Sequence, residues 1–270
     1  MSPALPALVR QFIPTSAGPL HVASMGEGLP VLLLHQTPRS WDEFRDVLPL
    51  LAQRYRPIAI DTPGFGDSCK PPPAEHSIER WASLALEVMD QLDIRKAAVV
   101  GHHTGAVTAM EIAASAPERV AALVLSSCPY NDAARRSAHA GKRTVDDVEI
   151  RTDGAHLQEL WQRRQPFYPQ GDTDLLTRFM VDALKAGPMA SHGHIVVRNY
   201  PMEDRIGLVR APTLVLRARC DPHAAPYSER IAQAIAGSQW QMLDDGMVPM
   251  PDQMPGPFAE AVMDFLQRSC

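Results

Sequence analysis

Five short apolar runs, each bounded by turn residues and separated by stretches of helical periodicity, constrain the fold of this chain more than any other feature. They cover residues 30–35 (PVLLLH), 56–61 (RPIAID), 96–100 (KAAVV), 120–127 (VAALVLSS) and 212–219 (PTLVLRAR). Runs apolar on both faces belong in a sheet covered on both sides, and such sheets are parallel. Between them, residues 40–53, 77–92, 104–116, 227–236 and 257–268 carry apolar side chains at helical spacing. Strand and helix therefore alternate, which predicts βαβ units in a doubly wound sheet with helices on both faces. Residues 11–14 and 20–24, around Ser16-Ala17-Gly18, predict an edge hairpin before the parallel part begins.

The alternation breaks between residues 130 and 205, where DGAHLQELWQRRQPFYP and TDLLTRFMVDALKAG keep helical spacing without an apolar run between them. Such an insertion must stand outside the sheet. It is expected as a helical cap (130–205) over the carboxyl ends of the strands, on one core formed by 1–129 and 206–270, with Ser191-His192-Gly193-His194 returning toward the site. A chain of 270 residues, 45% hydrophobic, suits one such domain.

Composition narrows the partners. A net charge of -5, with Lys and Arg scattered, leaves no footprint for nucleic acid or an anionic membrane, and points to a small uncharged or mixed-polarity molecule. No apolar run reaches the roughly 20 residues that span a bilayer, and residues 1–12 lack the pattern of a secretion signal, so a cytoplasmic protein is expected. Cys69, Cys128, Cys220 and Cys270 show no paired spacing and are expected as free thiols. A homodimer is left open.

The chemistry concentrates in Gly101-His102-His103-Thr104-Gly105, directly after one expected strand and opening one expected helix. That context is what a G-x-S-x-G nucleophile elbow requires, yet its tip is an imidazole. Further segments follow in order: His35-Gln36-Thr37-Pro38-Arg39-Ser40, Asp61-Thr62-Pro63-Gly64-Phe65-Gly66-Asp67-Ser68, Asp221-Pro222 and Asp245-Gly246-Met247. Together they resemble, over nearly the whole chain, the α/β-hydrolase superfamily and its capped members. The first resembles the family's His-Gly-x-Pro-x-Ser oxyanion loop, the second its Asp-x-x-Gly-x-Gly-x-Ser turn, and Asp221 stands where the family keeps its acid. Met247 stands where the family keeps its catalytic histidine.

The resemblance implies an α/β-hydrolase fold but not its usual serine chemistry, because the hydroxyl and the accepting imidazole have both left their places and a thioether takes no proton. His103 is expected as general base or nucleophile, Asp221 as its orienting carboxylate, and the backbone N–H groups of Thr37 and Thr104 as oxyanion donors. His35, Gln36, His102, Cys128, Trp161, His194, His223 and Met247 are expected around the substrate. His35, as a loop anchor, and Asp221, as an Asx-turn residue, also have purely structural readings. The function expected is attack on a small ester, lactone or activated carbonyl, with lyase, isomerase or cyclase chemistry also open. Two alternatives stand beside it: a silent ligand-binding protein, and a metal-dependent hydrolase using His35, His102, His103, His194 and His223. No metal or cofactor is expected, since adjacent His102 and His103 should point apart and no His-x-x-x-His pair occurs.

Overall fold

The computed structural model describes residues 6–270. Eight strands, β1 (Val9–Thr15), β2 (Gly18–Ser24), β3 (Pro30–Leu34), β4 (Arg56–Ile60), β5 (Ala97–His102), β6 (Val120–Ser126), β7 (Thr213–Ala218) and β8 (Gln239–Leu243), form one sheet. Their spatial order is β1-β2-β4-β3-β5-β6-β7-β8. β1 and β2 form the expected hairpin, β2 pairs antiparallel with β4, and every pairing from β4 to β8 is parallel.

Ten α-helices accompany the sheet among the described residues: α1 (Leu48–Leu51), α2 (Ile78–Gln91), α3 (Thr104–Ser115), α4 (Ala133–His139), α5 (Ala155–Arg164), α6 (Thr173–Ala186), α7 (Met189–Asn199), α8 (Ser228–Ala234), α9 (Met250–Gln253) and α10 (Pro255–Ser269). The period-2 geometry of a strand explains why the central runs are apolar throughout. Leu32 and Leu34 of β3, Val99 of β5 and Leu123 and Leu125 of β6 enter one core with α2, α3 and α8. Their neighbours Val31, Leu33, Val100, Ala122 and Val124 enter a second core with α1 and α10.

Three expectations need correction. The helix expected over 40–53 is instead a 3-10 turn at Trp41–Phe44 followed by α1. Pro49, with no N–H to give, sits in the first turn of α1, where it costs nothing, and could not have lain inside a longer helix. β8 has no counterpart among the expected strands, because Gln239, Trp240 and Gln241 are exposed on the sheet's edge and make no apolar run. Two helices of the insertion, α4 and α7, were also not expected as such.

The elbow is built by close backbone approach. A Cβ on Gly105 would lie 1.9 Å from the carbonyl oxygen of Leu34, and one on Gly101 would lie 2.1 Å from the oxygen of Gly105. Glycine at both places therefore lets α3 start directly against β3 and β5. Between them His103 takes φ 47° and ψ -111°, a conformation that L residues rarely adopt and that costs roughly 1–3 kcal/mol. Its N–H donates to the Ser126 carbonyl at 3.0 Å, and its own carbonyl accepts from Ala106 and Val107, so the turn is fixed from both sides.

Candidate active site

The His103 side chain leaves this turn for a cavity of about 280 Å³ whose wall includes Gln36, Thr37, Thr104, His223 and Val248 from the sheet's loops and Arg164, His194 and Val197 from the insertion. His103 Nε2 lies 2.7 Å from Asp221 Oδ2. The ring N–H is not aligned for a full N–H···O hydrogen bond, so the contact is a close polar approach. Asp221 follows β7, is sealed from solvent, and its Oδ1 accepts from the backbone N–H of His223 at 2.8 Å and of Ala224 at 3.3 Å. Oδ1 thereby closes an Asx turn, and Oδ2 faces His103 at the elbow. Burial works to raise the Asp221 carboxyl, but the His103 imidazole and the His223 amide outweigh it and hold the group well below the usual carboxylate range.

No imidazole stands at position 247. Met247 is half-buried beside the cavity, its N–H held by Gln253 Oε1 at 2.8 Å, while its neighbour Val248 supplies the wall. Position 103 carries the side chain that approaches the buried carboxylate, and position 247 carries no group that can take a proton.

Thr37 and Thr104 both line the cavity, and neither backbone N–H has a protein acceptor among the described residues. Thr104 opens α3, where first-turn amides have no intrahelical partner and the helix dipole favours negative charge.

Five residues expected around the substrate stand behind or beside this wall. His35 uses both ring nitrogens, Nε2 accepting from the Thr62 N–H at 3.0 Å and Nδ1–H donating to the Gln36 carbonyl at 2.8 Å, so it anchors the loop. His102 is fully buried between Ser126 Oγ at 2.9 Å and the Val248 carbonyl at 2.8 Å. Desolvation, then the neighbouring His103 charge, pushes its pKa down to about 3, so it is a neutral strut. Cys128 is buried with Sγ toward the Pro129 carbonyl, and burial pushes its thiol up well above the ordinary range. Trp161 packs on the core, and Met247 is placed as above. Gln36, His194 and His223 do line the cavity.

His35 and His102 are thereby committed to other partners. Among the described residues, the cluster that brings three ligand-type atoms within 4.8 Å of one another is His21, Asp61 and Asp67, outside this cavity. Its atoms are taken by Arg10, Lys185 and the backbone amides of Trp41 and Asp67.

The inserted helices contribute what the motifs did not signal. Asp146, buried, holds Arg164 through both carboxylate oxygens and accepts from His194 Nε2 at 2.7 Å. Arg135, His139, Arg143, Thr144 and Arg198 complete the wall. These residues are scattered over four segments, and no sequence spacing relates them.

The family model for the alpha/beta hydrolase fold matches residues 30–246. Among curated proteins, bifunctional epoxide hydrolase 2 of Mus musculus is 36% identical over 113 residues, 41% of this chain and 20% of that protein. The 2-hydroxymuconate semialdehyde hydrolase of Pseudomonas sp. (strain CF600) is 38% identical over 103 residues, 37% of this chain and 36% of that protein. The chain thus spans a fifth to about a third of the lengths of these relatives. Among solved structures, the enol-lactonase from Burkholderia xenovorans LB400 superposes with a TM-score of 0.80 at 21% identity, over 95% of this chain and 100% of the other. The esterase from Thermogutta terrifontis does so with 0.80 at 24%, over 97% and 99%. Elbow, sheet order and model match agree, and the chain belongs to the α/β-hydrolase fold family.

Proposed function

We propose that this chain is an enzyme of the hydrolase superfamily that acts on a small ester, lactone or activated carbonyl with His103 as general base. The observation that carries the reading is the 2.7 Å approach of His103 Nε2 to the buried Asp221 carboxylate, at an elbow flanked by two free oxyanion donors. With its proton on Nε2, facing Asp221, the ring leaves Nδ1 to accept one; Nδ1 has no protein partner among the described residues. His103 takes a proton from water, the resulting hydroxide attacks the carbonyl carbon, and the oxyanion is held by the Thr37 and Thr104 N–H groups. Collapse of that intermediate expels the alkoxide, which takes the proton back from His103. Asp221 stays ionised and orients the ring throughout. Hydrolysis is favoured within this base-and-oxyanion chemistry because the names of the matched relatives are those of hydrolases.

A panel of esters and lactones, assayed with and without chelator, tests the reading. Turnover should survive the chelator, and Asp221→Asn should lower kcat by about 10²-fold or more with KM little changed, since orientation of the ring matters most in the transition state. Chelator-sensitive turnover, or turnover indifferent to Asp221→Asn, would count against it.

A further inference from the structure

The side of the cavity built by the insertion is basic, in a chain whose net charge is -5. Four guanidinium groups, Arg135, Arg143, Arg164 and Arg198, face it, and no carboxylate belongs to its wall. Two of the four are answered: Arg164 by the buried Asp146, and Arg143 by Asp147 at 3.0 Å on the exposed rim. The other two are not. Arg135 donates to the Tyr130 carbonyl and lies 4.4 Å over the Tyr227 ring, and Arg198 donates to the Lys142 carbonyl; neither has a carboxylate partner among the described residues. Uncompensated guanidinium groups repel one another, so this wall is at its most stable with an anion on it.

From this we infer that the cavity takes an acyl compound bearing a carboxylate, whose carbonyl meets the His103 wall while its carboxylate meets Arg135 and Arg198. A guanidinium fork matches a carboxylate's two oxygens, which selects for a planar anion over an uncharged group of the same size. The inference refines the proposed function by naming its substrate class. It replaces the uncharged or mixed-polarity molecule that overall composition suggests, because net charge averages over a surface that this wall does not share.

Binding of phenylacetate and of phenylacetamide, measured by calorimetry at neutral pH, tests it, since the two differ in charge and hardly in shape. Phenylacetate should bind at least about tenfold more tightly, and added sodium chloride should erode that advantage. Arg135→Gln with Arg198→Gln should abolish the advantage while leaving phenylacetamide binding unchanged. Arg198→Gln alone, which disturbs no stacked ring, should reduce it severalfold and guards against a folding defect in the double variant. Equal binding of the two probes by the unmodified protein, or an advantage that survives both substitutions in folded protein, would overturn the inference. Binding is read without turnover, so that outcome would leave the proposed chemistry standing, whereas failed turnover with the preference intact would do the reverse.

Discussion

Gly193 of α7 lies so close to the oxyanion loop that a Cβ added there would sit 2.7 Å from Thr37 Cγ2 and 2.8 Å from Phe65 Cζ. The inserted helix and the loop that carries Thr37, the proposed oxyanion donor, are therefore in contact through the one side chain that is absent. Thr37 has no slack, being buried itself. Gly193→Ala should force the helix away or tilt the loop, costing about 1–3 kcal/mol of stability as overpacking does. Because the Thr37 amide moves with the loop, kcat should fall by more than KM changes, as chemical denaturation and steady-state kinetics on the same sample would show. A variant with unaltered kinetics would mean that the donor is positioned independently of α7.

The buried Asp146 gives a pH-dependent prediction. Burial works to raise its carboxyl, but Arg164 and His194 outweigh that and lower it from 3.8 to about 2. A depressed carboxylate contributes stability above its unfolded pKa and loses it as pH falls through the folded value, here between about pH 4 and 2, and the shift corresponds to about 2 kcal/mol. Asp146→Asn cannot titrate, and it leaves the buried Arg164 unpaired, a loss of about 3–5 kcal/mol at pH 7. Denaturation curves of the two proteins should thus be far apart at neutral pH and converge toward pH 2. Curves that stay parallel would show that Asp146 does not carry the acid sensitivity.

Replacing His103 and Met247 by the residues of the family pattern tests the placement of Met247. His103→Ser with Met247→His restores hydroxyl and imidazole around an Asp221 that is already buried and oriented. The double variant should hydrolyse nitrophenyl esters and take a fluorophosphonate label at the elbow, whereas the unmodified chain, with no hydroxyl at position 103, should take none there. A folded double variant that neither labels nor turns over would argue that position 247 does not face the elbow.

How much of this was legible in the sequence depends on what kind of force made each feature. The elbow was legible because Gly101 and Gly105 answer a backbone contact, which only one residue type satisfies and which therefore leaves a fixed spacing. Asp221 was legible because it follows β7 at a topologically defined place. For His35 and His102 spacing leaves a substrate contact and a structural anchor both open, because it cannot tell which of their nitrogens are spent on Thr62, Gln36, Ser126 and Val248. β8 was hidden because an exposed edge strand has no need to be apolar. The arginine wall was hidden most deeply. Arg135, Arg143, Arg164 and Arg198 converge only when α4, α5, α7 and the loop before α5 have packed, and a polar convergence of that kind has no period.

The central claim is that His103 is the base, and the most direct measurement is the turnover of His103→Gln beside that of His102→Gln. A glutamine at 103 can still donate an N–H to the buried Asp221, so the fold should survive, but its amide accepts no proton at neutral pH. Turnover should fall by about 10²- to 10⁴-fold, the usual contribution of a general base. His102→Gln removes a buried strut and should lower stability by about 1–3 kcal/mol while keeping turnover within severalfold. Full turnover by folded His103→Gln, or equal losses in the two variants, would contradict the claim and place any catalysis elsewhere.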